Sequence, residues 1–167
     1  MSKIFLVVGI IVIILVLAFV VQNNGIFAPT NNPNGNTISV SGNRTLNLSN
    51  QGLTSIPSYV FNQTNLEELN VSYNSLTGSI QSQIGQLKNL KVLNASYNKM
   101  TGVPAEVGQL KNLEVLDLSY NQLTGLPNEL GNLINLKTLN LAGNPYSQQD
   151  LDYIKNKLPV SVNIITK

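Results

Sequence analysis

Three Ser-Tyr-Asn triplets recur along this chain: Ser72-Tyr73-Asn74, Ser96-Tyr97-Asn98 and Ser119-Tyr120-Asn121. Their tyrosines are 97 − 73 = 24 and 120 − 97 = 23 residues apart. A hydroxyl, a phenol and a primary amide hydrogen-bond and offer an apolar ring; they do not readily move protons. Two residues before each triplet stand Asn70, Asn94 and Asp117, and Asn140 holds the same place in a fourth stretch. Such rows suit hydrogen-bonding ligands with apolar faces, an extended peptide or a glycan. Bond-breaking chemistry has little to work with, since the chain has no His, no Cys and 8 carboxylates. Asp117 has no acidic partner along its row, and the adjacent Glu67 and Glu68 diverge if they lie on a strand. No phosphate-cradling glycine loop and no set of metal ligands is present. The expectation is a binding protein, not an enzyme, with no metal and no cofactor. Ten basic against eight acidic residues give no electrostatic reason to hold nucleic acid.

The triplets sit inside a longer recurring unit. It opens as LEELNVSYNSL from Leu66, LKVLNASYNKM from Leu90, LEVLDLSYNQL from Leu113 and LKTLNLAGNPY from Leu136. A degenerate earlier copy, NRTLNLSNQGL, starts at Asn43, 66 − 43 = 23 residues upstream. Counting from each start, strand alternation turns the fourth and sixth places inward: Leu46/Leu48, Leu69/Val71, Leu93/Ala95, Leu116/Leu118 and Leu139/Leu141. The ninth place is Gln51, then Asn74, Asn98, Asn121 and Asn144. A buried amide there can satisfy backbone groups left unpaired where a strand ends. Apolar residues of the return segments, such as Ile84, Val107 and Leu130, should close the core from the other side. Pro57, Pro104 and Pro127 suit the entry to a short helical or 3₁₀ turn.

An internal period of this length, with apolar residues and Asn at fixed offsets, resembles the leucine-rich repeat family. The resemblance implies an α/β solenoid: a short curved parallel sheet on the concave face, with 3₁₀ turns, short helix and coil on the convex side. It also implies that Asn74, Asn98, Asn121 and Asn144 form the family's structural asparagine ladder. The coil containing Leu76-Thr77-Gly78-Ser79-Ile80 resembles the plant-type spacing, and the 23-residue coils resemble the bacterial type. The ending, with Ser147 to Asp150 in the form of a capping box, Leu151, Ile154 and Leu158 at helical spacing, Pro159, and Val160, Val162 and Ile164 alternating, looks like a terminal helix-strand cap of a finished domain.

Before the repeats, Ile4 to Val21 is 18 residues without charge. As a helix it covers about 27 Å, close to the hydrocarbon core of a bilayer. A cleaved signal peptide is the rival, but its apolar region is normally shorter and ends in a small-x-small site. Lys3 before the span, with no charge after it until Arg44, puts the N-terminus in the cytoplasm and the repeats outside it. The organisation expected is therefore an anchor in the lipid bilayer over 1–21, a flexible Asn/Pro/Gly tether over 22–36, repeats over 37–146 with a strand at Thr37 to Val40 over the open end, and a cap over 147–167.

The second places, Arg44, Glu67, Lys91, Glu114 and Lys137, alternate in sign, an arrangement that balances itself across neighbouring strands. Of the Asn-x-Ser/Thr triplets at Asn43, Asn47, Asn62, Asn70 and Asn94, most follow from the repeat itself, and they are acceptors for glycosylation only on a eukaryotic secretory route. The functional expectation is a membrane-anchored module that binds a protein, peptide or surface glycan on its concave face through Tyr73, Tyr97, Tyr120, Asn70, Asn94, Asp117 and Asn140. The alternatives are a self-associating envelope protein and a binder secreted after signal cleavage.

Overall fold

The structure, a computed structural model, describes residues 44–167. The strand at Thr37 to Val40, the tether and the span over residues 4–21 lie outside the described residues. Among the described residues no helix is long and apolar enough to cross a membrane.

Each repeat contributes one short strand near its start: β1 (Thr45–Asn47), β2 (Glu68–Asn70), β4 (Val92–Asn94), β6 (Val115–Asp117) and β7 (Thr138–Asn140). With β8 (Asn163–Ile165) they form a parallel sheet in the order β1-β2-β4-β6-β7-β8. The register is that of the sequence repeat, Leu46 opposite Leu69, then Leu93, Leu116 and Leu139. All five leucines are buried. Four 3₁₀ turns, Ser58–Asn62, Ser82–Gln86, Ala105–Gln109 and Asn128–Asn132, form the opposite layer. Their Val60, Ile84, Val107 and Leu130 are fully buried against the sheet.

Pro57, Pro104 and Pro127 occupy the residue before three of these turns. In the longer coil Gln81 takes a proline-like backbone, φ −63° and ψ 138°, and its Nε2 donates to the Ile56 carbonyl at 2.7 Å. A side-chain bond to the preceding coil thus stands where the others have a ring. Successive turns approach closely at Gly108, where a Cβ would strike the Glu129 backbone carbonyl. A further feature, which the repeat pattern does not announce, is a second and largely exposed parallel pair of β3 (Thr77–Ser79) and β5 (Lys99–Gly102).

The ninth-place amides join coil to coil. Asn98 lies buried with its Oδ1 accepting from Leu76 N at 3.0 Å, while its Nδ2 reaches Val71 O, Ala95 O and Ser96 O at 3.0–3.1 Å. Asn74, Asn121 and Asn144 repeat the arrangement. The bonds serve strand-end groups of the amide's own coil, Ala95 O and Ser96 O for Asn98, and of the coil before it, Leu76 N and Val71 O, and not of the next.

The cap differs from expectation in two respects. The helix α1 (Gln148–Lys155) starts after Ser147, whose Oγ accepts from Asp150 N at 3.4 Å. Asp150 does not complete a reciprocal box. Its carboxylate is a methylene shorter than the usual Glu, and its Oδ2 instead accepts from Leu126 N at 3.1 Å. The expected strand from Val160 begins only at Asn163, because Val162 N bonds Pro159 O at 3.0 Å and closes a turn that leaves Val160 fully exposed.

The two kinds of Asn predict unequal costs on truncation. Asn98→Ala leaves buried backbone groups of two coils unpaired and should lower stability by about 2–4 kcal/mol. Asn89→Ala removes one exposed bond, Nδ2 to Thr64 O at 2.8 Å, and should cost about 1 kcal/mol or less. Urea unfolding of both variants measures the difference, and equal losses would refute the role given to the buried row.

Candidate functional site

The strand ends lead into a turn that every repeat builds alike. Asn70 Oδ1 accepts from Ser72 N at 3.0 Å and Ser72 Oγ at 2.7 Å. Asn94 does so for Ser96 and Asp117 for Ser119, while Asn47 and Asn140 accept from Ser49 N and Ala142 N. These are Asx turns, in which a short side chain stands in for a backbone acceptor. The fifth-place residues expected to meet ligand therefore spend one oxygen on the fold. What is left for a partner is the Nδ2 amide of the three asparagines and the second oxygen of Asp117.

The next residue but two must enter left-handed backbone. The eighth places are Asn50 at φ 56°, Tyr73, Tyr97 and Tyr120 at φ 53°, and Gly143 at φ 69°. Asn and Gly at the ends of this row are the residues that tolerate positive φ. Tyr does not, at about 1–2 kcal/mol each for a non-glycine residue. The three rings stack on one another, Tyr73 to Tyr97 and Tyr97 to Tyr120 both at 4.4 Å between centroids, with interplanar angles of 7° and 17°. Two such pairs recover about 0.5–1.5 kcal/mol apiece. That gain comes on top of the apolar area that the half-buried rings remove from water, and both stand against the backbone cost. They stand 56%, 40% and 50% exposed.

Stacking also changes what the rings offer. Both faces of Tyr97 are covered by its neighbours. Tyr120 lies against Gly143, where an added Cβ would fall 2.7 Å from its Cδ1. Ring edges and hydroxyls remain, and among the described residues no second aromatic ring stacks on Tyr73. A sugar ring, which would need a free aromatic face, finds little of one. Removal of water from between the rings, and then the neighbouring phenols, push Tyr97 ionisation above the ordinary tyrosine value. The neutral stack is therefore favoured by folding below the ordinary value, and this contribution is lost as pH rises through the raised one.

On the sheet face the second-place charges pair unevenly. Arg44 and Lys91 both meet Glu67, the latter at 2.9 Å, and Lys137 meets Glu114 at 2.6 Å. Lys91 and Glu114 form no ion pair, so the expected continuous alternation is broken there; Glu67 already holds the Lys91 ammonium. That hydrogen bond first, and Arg44 beside it, hold the Glu67 carboxyl below the usual carboxylate range. Its contribution is present above that range and lost as pH falls through the lowered value.

Two rows escape the sequence reading. The third places, Thr45, Glu68, Val92, Val115 and Thr138, put a half-buried valine pair in register at the centre of the sheet face. A second amide row runs along the turn side, Asn89 to Thr64 O, Asn112 to Lys88 O and Asn135 to Lys111 O at 2.8–2.9 Å. Its signal was present in the sequence: an Asn-Leu pair opens each of these coils.

Family models agree with this geometry. One described as "Leucine rich repeat" matches residues 44–100, and one described as "Leucine Rich repeats (2 copies)" matches 88–128 and 111–156. The chain belongs to the leucine-rich repeat family. Among solved structures, a leucine-rich repeat protein of Leptospira interrogans is 40% identical, with a TM-score of 0.62 over 66% of this chain and 28% of its own. The leucine-rich repeat ectodomain of the receptor kinase SOBIR1 from Arabidopsis thaliana is 30% identical, TM-score 0.59, over 72% of this chain and 67% of that one. That of the Arabidopsis membrane receptor kinase GASSHO1/SCHENGEN3, in complex with CASPARIAN STRIP INTEGRITY FACTOR 2, is 31% identical, TM-score 0.57, over 67% and 14%. This leucine-rich repeat chain thus spans less than a third of the length of the Leptospira protein. No curated protein matches it.

If the tyrosine row is not there for stability, replacing it should cost little. The triple variant Tyr73→Asn, Tyr97→Asn, Tyr120→Asn, with a residue suited to positive φ, should keep its unfolding free energy within about 1–2 kcal/mol of the parent. A loss of several kcal/mol on urea unfolding would make the stack structural instead.

Proposed function

We propose that this leucine-rich repeat protein is a membrane-anchored recognition module that presents its strand face outside the cell to a protein or extended peptide. The observation that carries the reading is the exposed tyrosine stack, maintained at left-handed backbone beside rows of hydrogen-bonding groups. Likeness to receptor ectodomains, one of them in complex with CASPARIAN STRIP INTEGRITY FACTOR 2, supports recognition as the task. A peptide suits the face better than a glycan, since hydroxyls and ring edges are on offer and ring faces are mostly taken. Members of this family are typically recognition modules rather than enzymes. The anchor rests on the uncharged run from Ile4 to Val21, and the orientation on Lys3 before it.

Six strands about 4.8 Å apart give a face of roughly 25 Å, a small interface whose affinity gains from clustering in a membrane. A photo-crosslinking amino acid at position 97 of the full chain, in its native membrane, should give discrete partner adducts. The same group at Gln83, exposed on the turn layer, should not. Adducts from both positions alike, or from Gln83 only, would sink the strand-face reading. Protease added to intact spheroplasts should digest the repeats of a chain that sediments with membranes; full protection would reverse the topology.

A further inference from the structure

At the fifth place an amide is sufficient for the fold. Asn70 and Asn94 make the Asx turn to the following serine at 3.0 and 2.7 Å, and Asp117 makes it at 2.9 and 2.7 Å. A carboxylate at 117 therefore adds nothing to the turn that its neighbours lack. It adds a negative charge and a second oxygen. No ion pair among the described residues uses it, since the cations of the second-place row are held by Glu67 and Glu114.

One other charge lies within the third- and fifth-place rows of the five repeat strands. Glu68 is exposed, and its contact among the described residues is Thr45 Oγ1 at 3.3 Å. The ten side chains of these two rows thus carry two carboxylates and no cation, on a protein whose described part holds nine basic and eight acidic residues. Glu68 and Asp117 stand two strands apart and two residues apart along the strand direction. With strands about 4.8 Å apart and about 3.3 Å per residue, their places are separated by about 12 Å. Between them lie Val92 and Asn94 of β4.

Resting on the reading that this face binds peptide, we infer that its ligand is an extended basic segment with two cationic side chains four residues apart. Four residues of extended chain advance about 13 Å and return the side chain to the same side, matching the separation of the two carboxylates. The residue midway between the cations also faces the sheet, between Val92 and Asn94, and is small. The tyrosine hydroxyls beside this track bond the segment's backbone.

A dye-labelled synthetic peptide with Arg at two positions four apart, and Val midway, tests this by fluorescence anisotropy on the full chain in detergent micelles. Asp117→Asn keeps the turn, as Asn70 and Asn94 show, so loss of affinity in this variant reads charge and not fold. Asp117→Asn and Glu68→Gln should each weaken binding about tenfold or more, and added salt should weaken it further. A peptide with Glu for Arg should not bind, and one with adjacent arginines should bind less well. Unchanged affinity in Asp117→Asn overturns the inference, as does equal binding of the Glu peptide. Failure of every basic peptide, while position 97 still cross-links a partner in membranes, overturns this inference and leaves strand-face recognition standing. Failure of both removes the two together.

Discussion

The buried amide at the end of each strand is the constraint on which this solenoid depends. The ladder runs on past the three-residue strands, as in Val71 N to Asn94 O and Tyr73 N to Ser96 O, but where each coil then turns inward groups such as Leu76 N and Val71 O are met by an amide. Asn is short enough to reach them and carries both a donor and an acceptor, so one side chain serves two coils at once. Asn98 and Asn121 are buried in doing so, and their Oδ1 atoms accept from the strands of the secondary β3–β5 pair or its flank. Each coil is consequently tied to its neighbour by a polar bond inside an otherwise aliphatic core. The leucine columns supply most of the burial; the amides set the register in which that burial is possible.

The same turn determines what the surface can display. To bring the ninth residue inward, the fifth-place side chain caps the strand end and the eighth residue takes positive φ. That residue is thrown outward at the rim of the sheet, once per coil. With identical backbone in successive coils the three phenols fall parallel, and stacking follows from the geometry of the repeat. Gly143 at the end of the row is more than a permissive turn residue, since Tyr120 lies where its side chain would be. A recognition surface therefore grows out of the element that holds the coils together, and side chains on it can change without touching the core.

Charge is distributed with similar economy. The second-place ion pairs are exposed and worth little individually, yet they hold three cations along one edge of the sheet. The rows inside that edge are then left with Glu68 and Asp117 as their charged groups. On the turn side Lys111 instead serves backbone, its Nζ donating to Gly108 O at 3.0 Å and Asn132 O at 2.8 Å. Two faces of one small solenoid thus use the same residue type for different ends.

Much of this architecture is legible in the sequence, because a repeat makes local signals add. Leucines at fixed offsets specify which residues enter the core, and Asn74, Asn98, Asn121 and Asn144 specify where each strand ends; these depend on spacing alone. The helix over Gln148–Lys155 is likewise visible in its periodicity and its Ser147 cap. Other features depend on distances between coils, which spacing does not contain. How closely three stacked tyrosines cover one another's faces, whether Asp150 turns back to its own helix or across to Leu126, and whether Lys91 pairs with Glu67 or Glu114 are decided by how neighbouring turns sit in space. The fifth-place row shows the division most plainly. Sequence identified Asn70, Asn94, Asp117 and Asn140 as outward polar groups; tertiary structure decided that one oxygen of each closes a turn, because the backbone amide two residues on comes within hydrogen-bonding reach only once the strand has bent.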